Sequence, residues 1–161
     1  MVPSSPMGLE STIVACLDRP VLLRPGALAR AEIERLVPLA QGPRSAVPPA
    51  HADAAPAPAE RGALASHYAP RARLRLNAER VEAREALLAF GPTPAAGAER
   101  AAAMLNLSPR GDLIEAAANL FRLLHEIDAT GARVIAVAPI PGRGLGEAIN
   151  DRLKRAAAPR S

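Results

Sequence analysis

Apolar positions in the second half of the chain alternate between strand-like and helix-like spacing. Four short runs are predicted strands: RLRLNA, ALLAFG (86–91), AAMLNLS (102–108) and RVIAVAPIP. The second and third are apolar and end in glycine or polar residues, and the last is continuous in valine, isoleucine and alanine. Such runs are typical of buried parallel strands. The pattern predicts a parallel sheet within residues 71–161.

Two helices are predicted among these strands. Asp112 lies at the N-cap or in the first turn of one, where a carboxylate complements the helix dipole, and Gly131 ends it. GRGLGEAINDRLKRAA reads as a loop followed by the second helix. From ALLAFG onward, the order strand, strand, helix, strand, helix predicts an α/β fold, a doubly wound, Rossmann-like parallel sheet with flanking helices. The apolar face of the first helix contains Leu113, Ala117, Leu120, Phe121 and Leu124.

Residues 1–37 form a separate, smaller pattern. GLESTIVACL and VLLRPGAL are predicted strands around an Asp18-Arg19-Pro20 turn, and ALARAEIERLV is a predicted short helix ending before Pro38. A hairpin with one helix is too small to be stable alone. We therefore interpret residues 1–37 as the last part of a larger domain.

A linker is predicted over residues 38–70. Residues 38–62 hold six of the chain's 17 prolines and only two large aliphatic residues, Leu39 and Val47. Such a segment buries too little apolar surface to offset backbone ordering entropy. The linker ends in SHYAP, which contains Tyr68, the only tyrosine of the 161 residues.

The charge is basic but dispersed. The chain has 20 basic and 16 acidic residues, and Lys154 is its one lysine. Arginine suits phosphate recognition, yet here it is interleaved with Asp and Glu in a chain enriched throughout in Ala, Arg, Pro and Gly. We therefore infer no nucleic-acid binding from charge, and a tRNA-binding accessory role would need a clustered arginine face.

Cysteine content and hydropathy exclude several classes. One cysteine, Cys16, excludes an internal disulfide and provides no metal pair; its apolar surroundings predict a small core residue. No run is long and apolar enough to span a membrane, and MVPSSPMG is no secretion signal. The expected location is the cytoplasm.

Three places have residues suited to chemistry. If the hairpin forms, Ser11 and Arg24 lie together at its open end, where a hydroxyl and a guanidinium could bind a carboxylate or phosphate; equally, Arg24 could be a surface residue. The GRGLG loop precedes a helix, as phosphate loops do, but Glu147 replaces the third glycine of GxGxxG, and a plain turn is the simpler interpretation. Ser66-His67-Tyr68 lacks a recognisable catalytic partner, and the three histidines lack metal-ligand spacing.

Taken together, the segments resemble the C-terminal half of the two-domain bacterial and archaeal threonylcarbamoyl-AMP synthases. Those proteins join an N-terminal YrdC-like domain to a smaller Rossmann-like domain, and the resemblance covers the chain from Gly8 to about Pro159. It is carried by GLESTIV, LLRPGAL, the proline-rich linker, SHYAP, GDLIEAAANLF and IAVAPIPGRGLGEAINDRLKRAA, in the family's order.

The resemblance implies an activity and site residues. The family forms threonylcarbamoyl-AMP and pyrophosphate from L-threonine, bicarbonate and ATP, with Mg²⁺ bound through the nucleotide and no permanent cofactor. A partner transferase system then modifies tRNA. By resemblance, Ser11 contributes to the threonine pocket, while Arg24 and Tyr68 contact ATP. Tyr68 would close over the nucleotide, or alternatively anchor the linker; no catalytic residue and no protein-held metal is assigned.

The resemblance also implies that the chain is a fragment. The family's phosphate-gripping lysine and arginine belong to the YrdC-like part that precedes Gly8. On this interpretation residues 1–37 are the end of that domain, 38–70 the linker and 71–161 the Rossmann-like domain, and the isolated chain is expected to be inactive. The alternative is a non-catalytic regulatory or interaction module built on residues 71–161.

Overall fold

Short strands and three α-helices make up the regular structure of the described residues. The computed structural model describes residue 9 and residues 11–16, 20–40 and 70–158. In chain order, the elements are β1 (Ile13–Ala15), β2 (Val21–Arg24), α1 (Arg30–Glu34), β3 (Arg73–Arg75), β4 (Ala86–Ala89), β5 (Ala103–Asn106), α2 (Leu113–Asp128), β6 (Val134–Val137) and α3 (Leu145–Ala157).

The four later strands form the predicted parallel sheet. Their spatial order is β3-β6-β4-β5, and all three neighbouring pairs are parallel. Alternate side chains point to opposite faces, so Leu88 and Ile135 belong to one apolar cluster, whereas Leu87 and Ala136 belong to another. The α/β fold class predicted from the hydrophobic pattern is confirmed.

The two long helices cover the same face of this sheet. Leu120 of α2 and Ile149 of α3 lie in one cluster with Leu88. On the opposite face the described cover is loop, with Ala78 and Val81 packed against Leu87 and Ala136 and one 3₁₀ turn at Ala98–Arg100. The prediction of a doubly wound sheet is therefore wrong for the described residues. The connections leaving β3 and β4 contain no α-helix, so small alanine side chains cover this face.

A buried carboxylate, Glu85, joins the two ends of the loop between β3 and β4. Glu85 is 8% exposed and accepts a hydrogen bond from Arg75 Nε at 3.0 Å and another from the Glu82 backbone N–H at 2.9 Å. Hydrogen bonding to Arg75 lowers the pKa of Glu85. Because Arg75 is on β3 and Glu85 directly precedes β4, this pair ties both ends of the connecting loop together.

The predicted start and stop of α2 are observed. Asp112 is the N-cap and accepts from the backbone N–H groups of Ile114 and Glu115 at 2.7 and 3.0 Å. These bonds lower the pKa of Asp112. The helix ends at Asp128, and Gly131 follows with a φ of 79°, a conformation that favours glycine.

The N-terminal hairpin is also observed, but with less burial than its pattern suggested. Strands β1 and β2 pair antiparallel as an isolated two-stranded sheet. Helix α1 is only five residues long and buries Ile33, while Leu28 and Leu36 are 50% and 90% exposed. Cys16 is exposed as well, which corrects the expectation of a core residue.

This N-terminal segment, residues 9–40 where described, packs on the C-terminal unit, residues 70–158. Leu9 is 5% exposed within the main core cluster, and Ala27 packs against that cluster. Ala40 forms a parallel bridge with Val21 and donates its N–H to the Pro20 carbonyl at 2.7 Å, so ordered contacts continue past the predicted linker start. Residues 41–69 lie outside the described part, and the three-part division of the chain stays a prediction.

A search of the described helices for a membrane span gave none: none of them combines sufficient length with sufficient apolar character.

Candidate substrate-binding corner

Ser11 and Arg24 lie next to one another at the open end of the hairpin. Arg24 Nε donates a hydrogen bond to the Ser11 backbone carbonyl at 3.1 Å. Arg24 pairs with Ile13, the first residue of β1, which directly follows Thr12. The structure thus brings together the two described residues to which the resemblance assigns substrate contacts, and we call this pair the corner.

An irregularity in strand pairing shapes the corner. Ile13 pairs with Arg24 but Val14 pairs with Leu22, so the register shifts between neighbouring residues. Bulges of this kind redirect the following side chain and are common beside binding sites. Ser11 is exposed and Arg24 is half-buried. A hydroxyl and a guanidinium in this arrangement suit a carboxylate or phosphate group.

Thr12, next to Ser11, links the hairpin to Leu28. Its hydroxyl donates to the Leu28 carbonyl at 2.9 Å and accepts from the Leu28 N–H at 3.1 Å. The Thr12 hydroxyl therefore ties the start of β1 to the segment that leads into α1.

A charged pair that sequence reasoning missed joins this segment to the C-terminal unit. Arg30 Nε and Nη2 donate to Oε2 and Oε1 of Glu147 at 3.3 and 3.1 Å, and Glu34 lies 3.8 Å from Arg30. The hydrogen bond with Glu147 raises the pKa of Arg30. The partners are 117 residues apart in the chain, and no local pattern marks them.

The GRGLG loop has a packing reason for its glycines. A Cβ on Gly146 would clash with the Pro141 carbonyl oxygen, so only glycine lets α3 start this close to Pro141 in the loop after β6. Gly144, the N-cap, has φ 56° and ψ −134°. Because Glu147 places a carboxylate in the first turn of α3, the geometry favours a turn here over a phosphate cradle.

Other candidates from the sequence are not gathered at the corner. Tyr68, His67 and His51 lie outside the described residues. His125 is on the exposed side of α2. Among the side chains that the structure does describe, no three His, Cys, Asp or Glu residues are grouped to hold a metal ion.

The fold and the corner define the class of protein: an α/β unit with a parallel sheet, carrying a hairpin whose open end is suited to an anionic group. Residues 28–158 match the family model "Threonylcarbamoyl-AMP synthase, C-terminal domain". The chain is 31% identical to the threonylcarbamoyl-AMP synthase of Bacillus subtilis, covering 94% of this chain and 46% of that protein. It is 32% identical to the synthase of Pyrococcus abyssi, covering 93% and 46%.

The chain therefore belongs to the threonylcarbamoyl-AMP synthase family, through its C-terminal domain. It spans about half the length of the curated relatives it matches. A crystal structure of Pyrococcus abyssi Sua5 in complex with L-threonine has the same fold, with a TM-score of 0.61 and 24% identity over 95% of this chain and 47% of that one.

Proposed function

We propose that this chain is the C-terminal half of a threonylcarbamoyl-AMP synthase. It would act in forming threonylcarbamoyl-AMP and pyrophosphate from L-threonine, bicarbonate and ATP, as a nucleotidyltransferase. The observation that carries the proposal is family membership over residues 28–158, combined with the juxtaposition of Ser11 and Arg24. The isolated chain is expected to be inactive, because the family's phosphate-gripping residues belong to the other half.

The corner would contact two different substrates, L-threonine and ATP. In this proposal Ser11 contacts L-threonine through its exposed hydroxyl, and Arg24 contacts a phosphate of ATP through its guanidinium. The threonine amine would condense with bicarbonate to a carbamate, with loss of water, and a carbamate oxygen would then displace pyrophosphate from the α-phosphorus of ATP. A fixed cation near that phosphorus would stabilise the developing charge. Arg24 is suited to this role because a planar guanidinium can donate two hydrogen bonds to one phosphate group.

Tyr68 would contribute from the linker. By resemblance its ring contacts ATP, and a tethered aromatic side chain could exclude water while the nucleotide is bound. Support comes from its SHYAP context alone. The competing role, an anchor that packs the linker on the C-terminal unit, predicts that Tyr68→Phe and Tyr68→Ala change stability but not the KM for ATP.

Exposed apolar side chains of the N-terminal segment would contact the other half of the protein. Ile13, Leu28 and Leu36 are 41%, 50% and 90% exposed. A two-stranded sheet is marginal without further layers. We propose that residues 1–37 complete a YrdC-like domain through these side chains, with residues 38–70 as linker and 71–161 as the second domain.

The remaining components follow from the reaction. Mg²⁺ would enter bound to ATP rather than held by this chain. The product would pass to a tRNA-modifying transferase system, and we propose the cytoplasm as the location of the activity. Direct tRNA binding is not part of the proposal, since Arg75 and Arg122 pair with acidic side chains.

Pyrophosphate release tests the proposal. The chain would be assayed with L-threonine, bicarbonate and ATP, alone and together with the N-terminal half of the Bacillus subtilis relative, supplied as a separate polypeptide or as a fusion. We expect activity only in combination. In the active combination, Ser11→Ala raises the KM for threonine and Arg24→Ala the KM for ATP, each by about tenfold or more.

Arg122→Gln is the matched control, because Arg122 is an exposed arginine whose partner Glu126 is on the same helix. Activity of the chain alone would overturn the fragment interpretation. If combination restores activity but Ser11→Ala and Arg24→Ala leave both KM values unchanged, the corner is not the binding site. If no combination is active although both parts are folded, the non-catalytic module is favoured.

A further inference from the structure

The corner depends on the C-terminal unit through a continuous series of contacts. Arg24 bonds Ser11, the neighbouring Thr12 bonds Leu28, and Leu28 is two residues before Arg30. Arg30 then forms two hydrogen bonds with Glu147, in the first turn of α3. Each step is a hydrogen bond or a short piece of chain, so the position of α3 bears on the position of Ser11 and Arg24.

Helix α1 needs this external support. It is five residues long, and its N-cap, Ala29, has no side chain able to cap the free N–H groups. Helices this short do not persist without tertiary contacts. Ile33 provides its buried contact, at 8% exposure, and Arg30 provides its charged link to the C-terminal unit.

The other end of the pair is held firmly. Glu147 lies in the first turn of α3, where the helix dipole favours a carboxylate. Gly146 beside it packs against the Pro141 carbonyl, which restricts how the loop after β6 enters α3. The side chains of Arg30 and Glu147 are 38% and 29% exposed, which partly shields the pair from solvent. Two parallel hydrogen bonds also set the direction of the guanidinium.

We propose that Glu147 is a positioning residue for the substrate-binding corner, acting through Arg30. On this view the Rossmann-like domain of the chain holds the last strands of the catalytic domain in the geometry that binds substrate. The inference rests on the proposed function, since it takes Ser11 and Arg24 as substrate contacts. It adds a role for the C-terminal domain and names the residues that perform it.

Amide hydrogen exchange of the 161-residue chain tests the coupling without substrate. Glu147→Gln keeps the shape of the side chain and removes its charge. We expect exchange of the Leu28 N–H, which bonds Thr12, to become about five- to tenfold faster. The Ala138 N–H, which bonds the Leu88 carbonyl within the sheet, should keep its rate.

A double-mutant cycle supplies the specificity. Arg30→Gln should match the effect of Glu147→Gln, and the double variant should add little to either. Arg122→Gln should change neither amide. The proposal is overturned if the Leu28 rate is unaffected, if the two effects simply add, or if Ala138 accelerates equally, since that would show general destabilisation.

Kinetics of the combined protein separate this inference from the proposed function. Glu147→Gln should raise the KM values for threonine and ATP about threefold or more, with Arg30→Lys restoring part of the loss relative to Arg30→Gln. Unchanged KM values in an active combination would overturn the positioning role. An inactive combination with the exchange effects intact would refute the proposed function and leave the structural coupling standing.

Discussion

The two regions of this chain use similar apolar residues with opposite results. In the C-terminal unit, Leu88, Leu120 and Ile135 have no exposed surface. In the N-terminal segment, Leu28 and Leu36 are half or almost fully exposed, although both lie in the run ALARAEIERLV that predicts a helix. The difference is in what each region packs against: four strands with two helices in one case, and a two-stranded sheet with a single short helix in the other.

This comparison shows that an amphipathic pattern predicts which side chains form an apolar face. It does not identify the part of the protein that packs against that face. The C-terminal unit contains both layers of its own core, so its pattern and its burial agree. The N-terminal segment has only one layer of its own. Its Leu9 and Ala27 pack against the core of the C-terminal unit, which serves as part of a second layer. Its remaining apolar side chains are suited to a further partner.

The largest expected effect separates the two regions directly. Leu88→Ala should lower the free energy of unfolding by about 2–5 kcal/mol, because it removes a fully buried side chain and leaves a cavity. Leu36→Ala should change it by less than about 0.5 kcal/mol, since Leu36 is 90% exposed. Urea unfolding followed by circular dichroism measures both. A comparable loss for Leu36→Ala would show that the N-terminal segment buries this side chain in solution.

A smaller effect tests how closely α3 packs. Gly146→Ala should destabilise the protein by about 1–3 kcal/mol, at the upper end of that range, because the added Cβ would meet the Pro141 carbonyl oxygen. Gly142→Ala in the same loop is the control, with no atom within 4 Å of its added Cβ. Thermal unfolding of both variants measures the difference. Equal midpoints would mean that the loop relaxes and that Glu147 is not held as firmly as proposed.

The smallest effect concerns pH and is confined to the C-terminal unit. Hydrogen bonding to Arg75 lowers the pKa of Glu85 in the folded state. Its contribution to stability is therefore fully present above the unfolded pKa of about 4.3 and is lost as the pH falls below it. The free energy of unfolding should decline below about pH 5, and Glu85→Gln should make that decline shallower while lowering stability at pH 7 by about 1–2 kcal/mol.

Glu126→Gln is the control for this pH series, because Glu126 is an exposed carboxylate that pairs with Arg122 one turn away. It should leave the acid limb of the stability curve almost unchanged. Identical slopes for the wild-type chain and Glu85→Gln would show that Glu85 does not carry the acid sensitivity.

Much of the fold was predictable because it depends on local periodicity. The four parallel strands, the amphipathic helix from Leu113 and its Asp112 cap all follow from spacing and cap chemistry. The face on which the helices pack was not predictable, and the doubly wound expectation failed there. Apolar runs buried on both sides, such as ALLAFG, do not distinguish cover by helices from cover by alanine-rich loops.

The candidate site divides in the same way. A turn signal between two strand patterns placed Ser11 and Arg24 at one end of a hairpin, and the Arg24 hydrogen bond to Ser11 agrees with that placement. The substrate roles of these residues and of Tyr68 stay predictions. The link from Arg30 to Glu147 had no local signal, because nothing near either residue indicates a partner 117 positions away.

Periodicity, turn residues and capping chemistry in the sequence alone determined the elements of this protein and their order, and the resemblance of its motifs indicated the family. These signals depend on residues a few positions apart, so they can be identified from the sequence alone. Tertiary structure alone decided which face of the sheet the helices cover, why Gly146 must be glycine and how the hairpin is attached to the second unit. Each of those depends on atoms brought together from distant positions, and the packing energy that selects them exists only after the chain has folded.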